Sequence, residues 1–281
     1  MIDGRGWGSR ILRIYLPVMG FLVLMLFPFY WMLIASIKPN RELYNAKIMP
    51  LIVYQPTLKH YYDLFADTNF LLWTYNTMLV AVITTAVSLV LGAMIAYPLA
   101  RMNFPGAAIV AIGVAATYLV PQPLLFIPMA DIINKLELGN TLSAVMLTYP
   151  TLLIPFCAWL LMGYFKSVPR ELEEAARIDG ASRFQAMWRV VLPLTVPGLL
   201  SAGIFAFTLA QNEFLYALIF LAKSEVRTVP VGVITELIRG DVFYWGQLMA
   251  AALLGSIPVA VIYSFFVDYY VAGLTAGSVK S

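Results

Sequence analysis

Cysteine occurs once, at Cys157, and histidine once, at His60, in a chain of 281 residues. One cysteine excludes an internal disulfide and any cysteine-based metal cluster. Cys157 lies in an apolar stretch and reads as a small buried hydrophobe. His60 stands beside Tyr61 and Tyr62 with no second ligand at helical spacing, so a surface or interface role is expected and no metal site. Charge is scarce too: 12% of residues are charged and the net charge is +3, without a long basic or acidic run, which argues against nucleic acid as a partner. No Gly-x-x-x-x-Gly-Lys-Ser/Thr occurs and no Lys follows a Gly, so the chain carries no phosphate-cradling loop for ATP. No nucleophile–base or metal constellation stands among the apolar runs, and no catalytic residue is expected. Internal repeats and low-complexity segments are also missing.

What the chain has instead is apolar length. Hydrophobic residues make up 61% of it and the mean hydropathy is +0.82, values of a lipid-embedded protein. A helix needs about 20 apolar residues to cross the hydrocarbon layer. Six runs qualify, at roughly 14–37, 73–99, 107–130, 141–164, 198–221 and 246–272. The expected fold class is therefore all-α, a polytopic membrane protein of six transmembrane helices in a single domain, 1–281. Arg5, Arg10 and Arg13 precede the first run in the manner of a signal peptide, but the run is too long for one and lacks a clear cleavage site, so it is kept as a span.

An even number of spans puts both ends on one side. The 165–197 loop holds Lys166, Arg170, Arg177, Arg183 and Arg189, whereas the 131–140 connection holds only Lys135. By the positive-inside rule the loop, the N-terminal segment 1–13 and the tail 273–281 are expected in the cytoplasm. The longest outer segment, 38–72, contains Pro39, Pro50 and Pro56 and so cannot be one helix; Tyr61, Tyr62, Leu64 and Phe65 fit a short interfacial or docking helix there. Within the spans, Pro121 and Pro123 flank Gln122, Pro150 and Pro155 interrupt the fourth run, and Pro258 the sixth. Such kinks need protein or a water-filled path to satisfy the freed carbonyls.

The 165–197 loop is the one charged, amphipathic insert. Ser167 is a candidate cap for a helix with Pro169 near its start and Glu171, Glu173 and Glu174 in its first turns, an order suited to the positive end of the helix dipole. Ala175 and Ala176 leave room for another surface to approach, and Gly180 supplies a left-handed turn. Residues 182–191 then form a second helix with Phe184, Met187, Trp188 and Val191 on one face, before Leu192, Pro193 and Pro197. Taken alone, this pattern also fits an amphipathic helix lying on membrane lipid.

The spacing of Glu174-Ala175-Ala176, Gly180 four residues after Ala176, and Val190-x-Leu192-Pro193 closely resembles the signature loop of ABC importer permeases; only Val190 departs, where the family more often has Ile. The resemblance extends over nearly the whole chain. The tail from Val271 to Lys280 and the run Gln211-Asn212-Glu213-Phe214-Leu215-Tyr216 are similar to the second permease of the maltose-type carbohydrate branch, with Gln211 in place of the usual Trp. The resemblance implies the type I permease fold in a bacterial cytoplasmic (inner) membrane. It implies carbohydrate uptake and contact of Glu174, Ala175, Ala176, Gly180, Leu192 and Pro193 with a separate ATPase. The partners it implies are a homologous second permease, two ATPase subunits and an extracytoplasmic solute-binding protein. ATP and Mg would then be bound by the ATPase subunits and no cofactor by this chain.

Glu213 is the one carboxylate well inside a span, where an unpartnered charge costs about 2.5–3.5 kcal/mol. Phe207, Gln211, Asn212, Glu213, Phe214 and Tyr216 form a candidate solute path, with Phe207, Gln211 and Phe214 expected on one helix face. The same polar groups also fit helix-to-helix bonding, and both readings stay open. Asp268 reads as a packing or interface residue. Other solutes, a polyol or a glycerophosphodiester, fit the same machinery. An ion-coupled secondary transporter using Glu213 is the alternative of another class, but such folds carry a matching pair of broken helices, and none is evident.

Overall fold

The computed structural model describes residues 11–276, and side chains as far as Val267. Asp268, as a side chain, lies outside the described residues, as do most of the segment 1–13 and the side chains of the tail 273–281.

In lipid no water satisfies a bare backbone, so apolar runs close their hydrogen bonds internally as helices. The helices are α1 Leu16–Ile37, α2 Asn40–Leu43, α3 Lys59–Asp67, α4 Phe70–Arg101, α5 Ala107–Thr117, α6 Gln122–Lys135, α7 Leu142–Thr148, α8 Pro150–Ser167, α9 Arg170–Ile178, α10 Arg183–Ala186, α11 Leu192–Leu194, α12 Val196–Gln211, α13 Leu215–Phe220, α14 Val229–Leu237 and α15 Trp245–Ala276. Four spans, Ile11–Ile37, Phe70–Arg101, Leu142–Ser167 and Trp245–Val267, are long and apolar enough to cross a bilayer, and two bent pairs bring the number to six. Among the described residues the one strand pairing is a small antiparallel hairpin, β1 Ile238–Arg239 with β2 Val242–Phe243.

The prolines follow the sequence expectation in part. Pro155 and Pro258 lie inside helices that continue past them, and Pro150 opens α8, where its missing N–H is no loss. Pro121 marks a break where the sequence placed one. The third run bends by 92° between α5 and α6, with Pro121 capping the second half. The fifth run, expected to be continuous, ends at Gln211 and resumes at Leu215 without any proline.

The chain divides into two compact units, one of the residues up to Phe70 with Val233–Ile257, the other of Leu71–Gly232 with the residues from Pro258 onward. In the first, α1 is exposed along most of its length, only Ile34, Ala35 and Ser36 being buried. The connection after it is braced by charge turned inward. Lys38 is 2% exposed and its Nζ donates to the carbonyls of Met49 and Pro50, each at 3.0 Å. The Glu42 carboxylate accepts from the Tyr54 and Gln55 amides at 3.1 and 3.0 Å. His60, expected in a surface or interface role, is buried: its Nε2 meets the Lys38 carbonyl at 2.9 Å, and its ring lies where a Cβ on Gly246 would stand. The short outer helix is present as α3, with Leu64 buried and Tyr62 exposed.

In the second unit, small residues let helices approach. A Cβ on Gly92 of α4 would lie 2.7 Å from the Cβ of Cys157 in α8, and one on Gly198 would meet the Tyr164 ring. Gly198, Ala202, Ala206 and Ala210 recur every fourth residue along α12, all buried, the pattern by which membrane helices pack through dispersion rather than hydrophobic exclusion. The segment after α13 is pinned to the start of α4: Trp73 Nε1 donates to the Ser224 carbonyl at 2.8 Å, and Asn76 Nδ2 to those of Glu225 and Arg227 at 2.9 and 3.0 Å.

Replacing Gly92 by Val overpacks the α4–α8 contact, at a cost of about 1–3 kcal/mol. The expected result is a lower thermal unfolding midpoint for the purified protein in detergent. Gly113→Ala, at a helical site with nothing within 4 Å, does not lower the midpoint.

Candidate functional site

Three interruptions of regular helix meet around one cavity. Its volume is ≈ 590 Å³, within the range that small-molecule sites occupy. Thr117, Tyr118, Val120 and Gln122 line it from the α5–α6 bend, Tyr149 and Thr151 from the α7–α8 joint, and Asn212, Glu213 and Phe214 from the gap between α12 and α13. Irregular backbone at membrane depth survives only where it is buried in protein or borders such a cavity.

Local chemistry explains why α12 stops. The Asn212 Nδ2 folds back to the Thr208 carbonyl at 2.9 Å. The Glu213 carboxylate turns forward and accepts from the backbone amides of Tyr216 and Ala217 at 2.9 and 3.1 Å, capping the first turn of α13. Gln122, at the start of α6, donates from Nε2 to the same carboxylate at 2.8 Å. One buried anion thus ties the two broken runs together, with Tyr149 buried beside it. Donors on charged acceptors are the stronger class of hydrogen bond, which offsets the burial of the charge.

The six sequence-named path residues divide. Asn212, Glu213 and Phe214 line the cavity, whereas Phe207, Gln211 and Tyr216 do not. Phe207 and Tyr216 belong to the apolar core of the unit. Phe214 does not share a helix face with Phe207 and Gln211, because the helix ends before reaching it. Tyr118, Gln122 and Tyr149 complete the polar wall. Their signal in the sequence was the polar residues bordering Pro121 and Pro150.

The charged loop is a second site. Its first helix, α9, is capped by Pro169 rather than Ser167, whose hydroxyl bonds the Tyr164 carbonyl instead. Gly180 has φ +93° and closes the helix end: its amide bonds the Arg177 carbonyl at 3.1 Å, and the Ala181 amide bonds that of Ala176 at 3.0 Å. Ser182 and Gln185 then form a reciprocal capping box, a spacing legible in the sequence, which opens α10. Pro193 lacks the N–H that would bond the Arg189 carbonyl, and Met187–Val191 widens to a π-helical turn ahead of it. The expected single apolar face therefore splits. Met187 and Val191 point into the core, while Phe184 and Trp188 point outward with their rings 6.0 Å apart. Glu174, Ala175, Gly180 and Pro193 are exposed, Ala176 is half-buried, and Leu192 is buried in the apolar cluster with Ala93, Phe165 and Met187. Among the described residues no cluster of His, Cys, Asp and Glu could hold a metal ion.

Residues 5–275 match the family described as the inner membrane component of binding-protein-dependent transport systems. The chain belongs to that family. It is 38% identical over 256 residues to a sulfoquinovosyl glycerol transport system permease protein of Agrobacterium fabrum, covering 91% of this chain and 89% of that one. It is 34% identical over 261 residues to a trehalose/maltose transport system permease protein of Thermococcus litoralis, covering 92% of each. In fold it is similar to a chain of a bacterial ABC transporter involved in import of the acidic polysaccharide alginate, with a TM-score of 0.79 and 21% identity over 95% of this chain and 99% of that one. The chain is thus a permease subunit of an ABC importer, with the six-span helical fold of that class.

Substituting Glu213 by Ala leaves the Tyr216 and Ala217 amides and the Gln122 amide nitrogen without their acceptor. The expected loss is about 1–3 kcal/mol, the cost of stranding a buried polar group, read as a drop in unfolding midpoint in detergent. An unchanged midpoint counts against the capping role.

Proposed function

We propose that this chain is one translocating half of an ATP-driven importer for a neutral sugar or oligosaccharide, and that solute passes along the cavity between the broken runs. The observation that carries this reading is the meeting of three interrupted segments around one cavity, whose mainly apolar lining carries a few hydroxyl, amide and carboxylate groups. Hydroxyl and amide groups of Tyr118, Gln122, Thr151 and Asn212 match the donors and acceptors of a carbohydrate, and the carbohydrate transport named for the relatives supports the same class. The lining contains one carboxylate and no Lys, Arg or His, which favours an uncharged solute over a glycerophosphodiester. A polyol remains compatible with the same wall.

In this reading the 165–197 loop, with both termini, faces the cytoplasm. Glu174, Ala175, Ala176 and Gly180 enter a cleft of a separate ATPase, while Leu192, buried beneath them, and Pro193 fix the loop to the spans. The outward side chains Ile178, Phe184 and Trp188 add an apolar rim to that surface. Two ATPase subunits, which hold ATP and Mg, a homologous second permease and an extracytoplasmic binding protein complete the assembly; this chain binds no nucleotide and catalyses no reaction. Nucleotide-driven closure and the loaded binding protein each favour one arrangement of the same bundle.

Gly180→Asp tests the coupling part. The substitution puts a side chain on a left-handed residue, a strain of about 1–2 kcal/mol, and adds a charge on the exposed turn. The expected outcome is loss of solute uptake with normal abundance in the membrane; undiminished uptake would speak against coupling through this loop. Identifying the solute held by the binding protein that co-purifies with the complex tests the substrate class.

A further inference from the structure

We propose that Arg101, Tyr97 and Glu173 form the strut that carries movement of the coupling helix α9 into the long span α4. This rests on the reading that α9 meets the ATPase. No residue of α9 is buried, so apolar packing does not hold it to the spans. Polar contacts do. Arg101, the last residue of α4, donates from Nε to Glu173 Oε2 at 2.9 Å, with the two side chains 2% and 14% exposed. The other Glu173 oxygen accepts from the Tyr97 hydroxyl at 2.6 Å. That hydroxyl also lies 3.1 Å from the Arg183 carbonyl at the start of α10.

The same guanidinium closes the end of α8. It donates to the carbonyls of Val168, the C-cap of α8, at 2.7 Å, of Phe165 in its last turn at 3.3 Å, and of Pro169, the N-cap of α9, at 3.3 Å. Cation and carbonyl ends are matched in sign there. Tyr97 is in turn held edge-on by the Phe165 ring, 6.5 Å away. Four segments, the ends of α4 and α8 and the starts of α9 and α10, thus share three side chains. Glu171 and Glu174 on the same helix are exposed; Glu173 alone of the three turns inward. A planar, permanently charged fork is suited to hold several acceptors in fixed directions at once, and replacing one partner of such a buried pair strands the other. The geometry therefore makes α9 and α4 move as one body, with Arg101 as a positioning residue.

The experiment uses the complete complex in vesicles, with this chain as wild type, Arg101→Glu, Glu173→Arg, the double exchange or Tyr97→Phe. ATP hydrolysis stimulated by loaded binding protein, solute uptake and retention of the ATPase subunits are measured together. The expected result is that each single charge variant keeps its ATPase and hydrolyses ATP, while uptake per ATP falls about tenfold or more, within the usual range of coupling between sites. The double exchange recovers a large part of that loss, and Tyr97→Phe loses less. The proposal is overturned if single variants transport as much per ATP as wild type, if the double exchange is no better than either single variant, or if uptake and hydrolysis fall together because the ATPase has been shed. Should the charge variants fail to accumulate, Tyr97→Phe decides by the same ratio, an unchanged value being fatal. A wild-type complex with no ATP-dependent uptake sinks the underlying reading instead.

Discussion

Lipid offers nothing to a bare amide or carbonyl, and each place where this chain leaves the helix inside its apolar runs is organised around that constraint. At the end of α12 the solution is side-chain chemistry. Asn212 looks back to the turn it terminates, and Glu213 looks forward to the turn it begins. Gln122 supplies a further donor from the other broken run. The result is a gap in two helices whose carboxylate is held by donors from within the protein and which borders a cavity.

Close helix contact supplies the rest of the stability. Water expulsion gives little advantage between helices already in lipid, so contact area and dispersion decide. Gly92 on α4 and the Gly198-to-Ala210 stripe on α12 remove the Cβ bulk that would hold neighbours apart. Several larger groups that come inward arrive with partners: Trp73 with the Ser224 carbonyl, Lys38 with two carbonyls, Arg101 with three carbonyls and a carboxylate. Cys157 fits as expected, a small buried side chain against Gly92.

Much of the fold was legible because membrane spans are long, local signals. Six apolar runs and the charged insert were evident, and the left-handed turn at Gly180 followed from its position after a short polar helix. The misread features are those set by partners distant in sequence. His60 is buried because Lys38 and Gly246 come to it, and neither is a neighbour in the chain. Proline was weighted as the breaker, yet Pro155 and Pro258 are accommodated within helices, while Asn212 and Glu213 break one by offering the backbone an alternative partner. The Glu173–Arg101 pair joins residues 72 apart, and no periodicity announces it. The Ser182–Gln185 spacing is a local capping-box signal, set beside the apolar pattern of the same helix.

The bridge from Gln122 to Glu213 has an energetic corollary. Pulling the two discontinuous rods apart removes a single neutral donor from the carboxylate, while the two main-chain amides travel with it and keep the anion solvated by protein. Widening the gap therefore forfeits one bond to a charged group, about 1.5–3 kcal/mol, instead of exposing a naked ion to hydrocarbon. A clasp of that size is small beside the cost of an unpartnered charge in lipid.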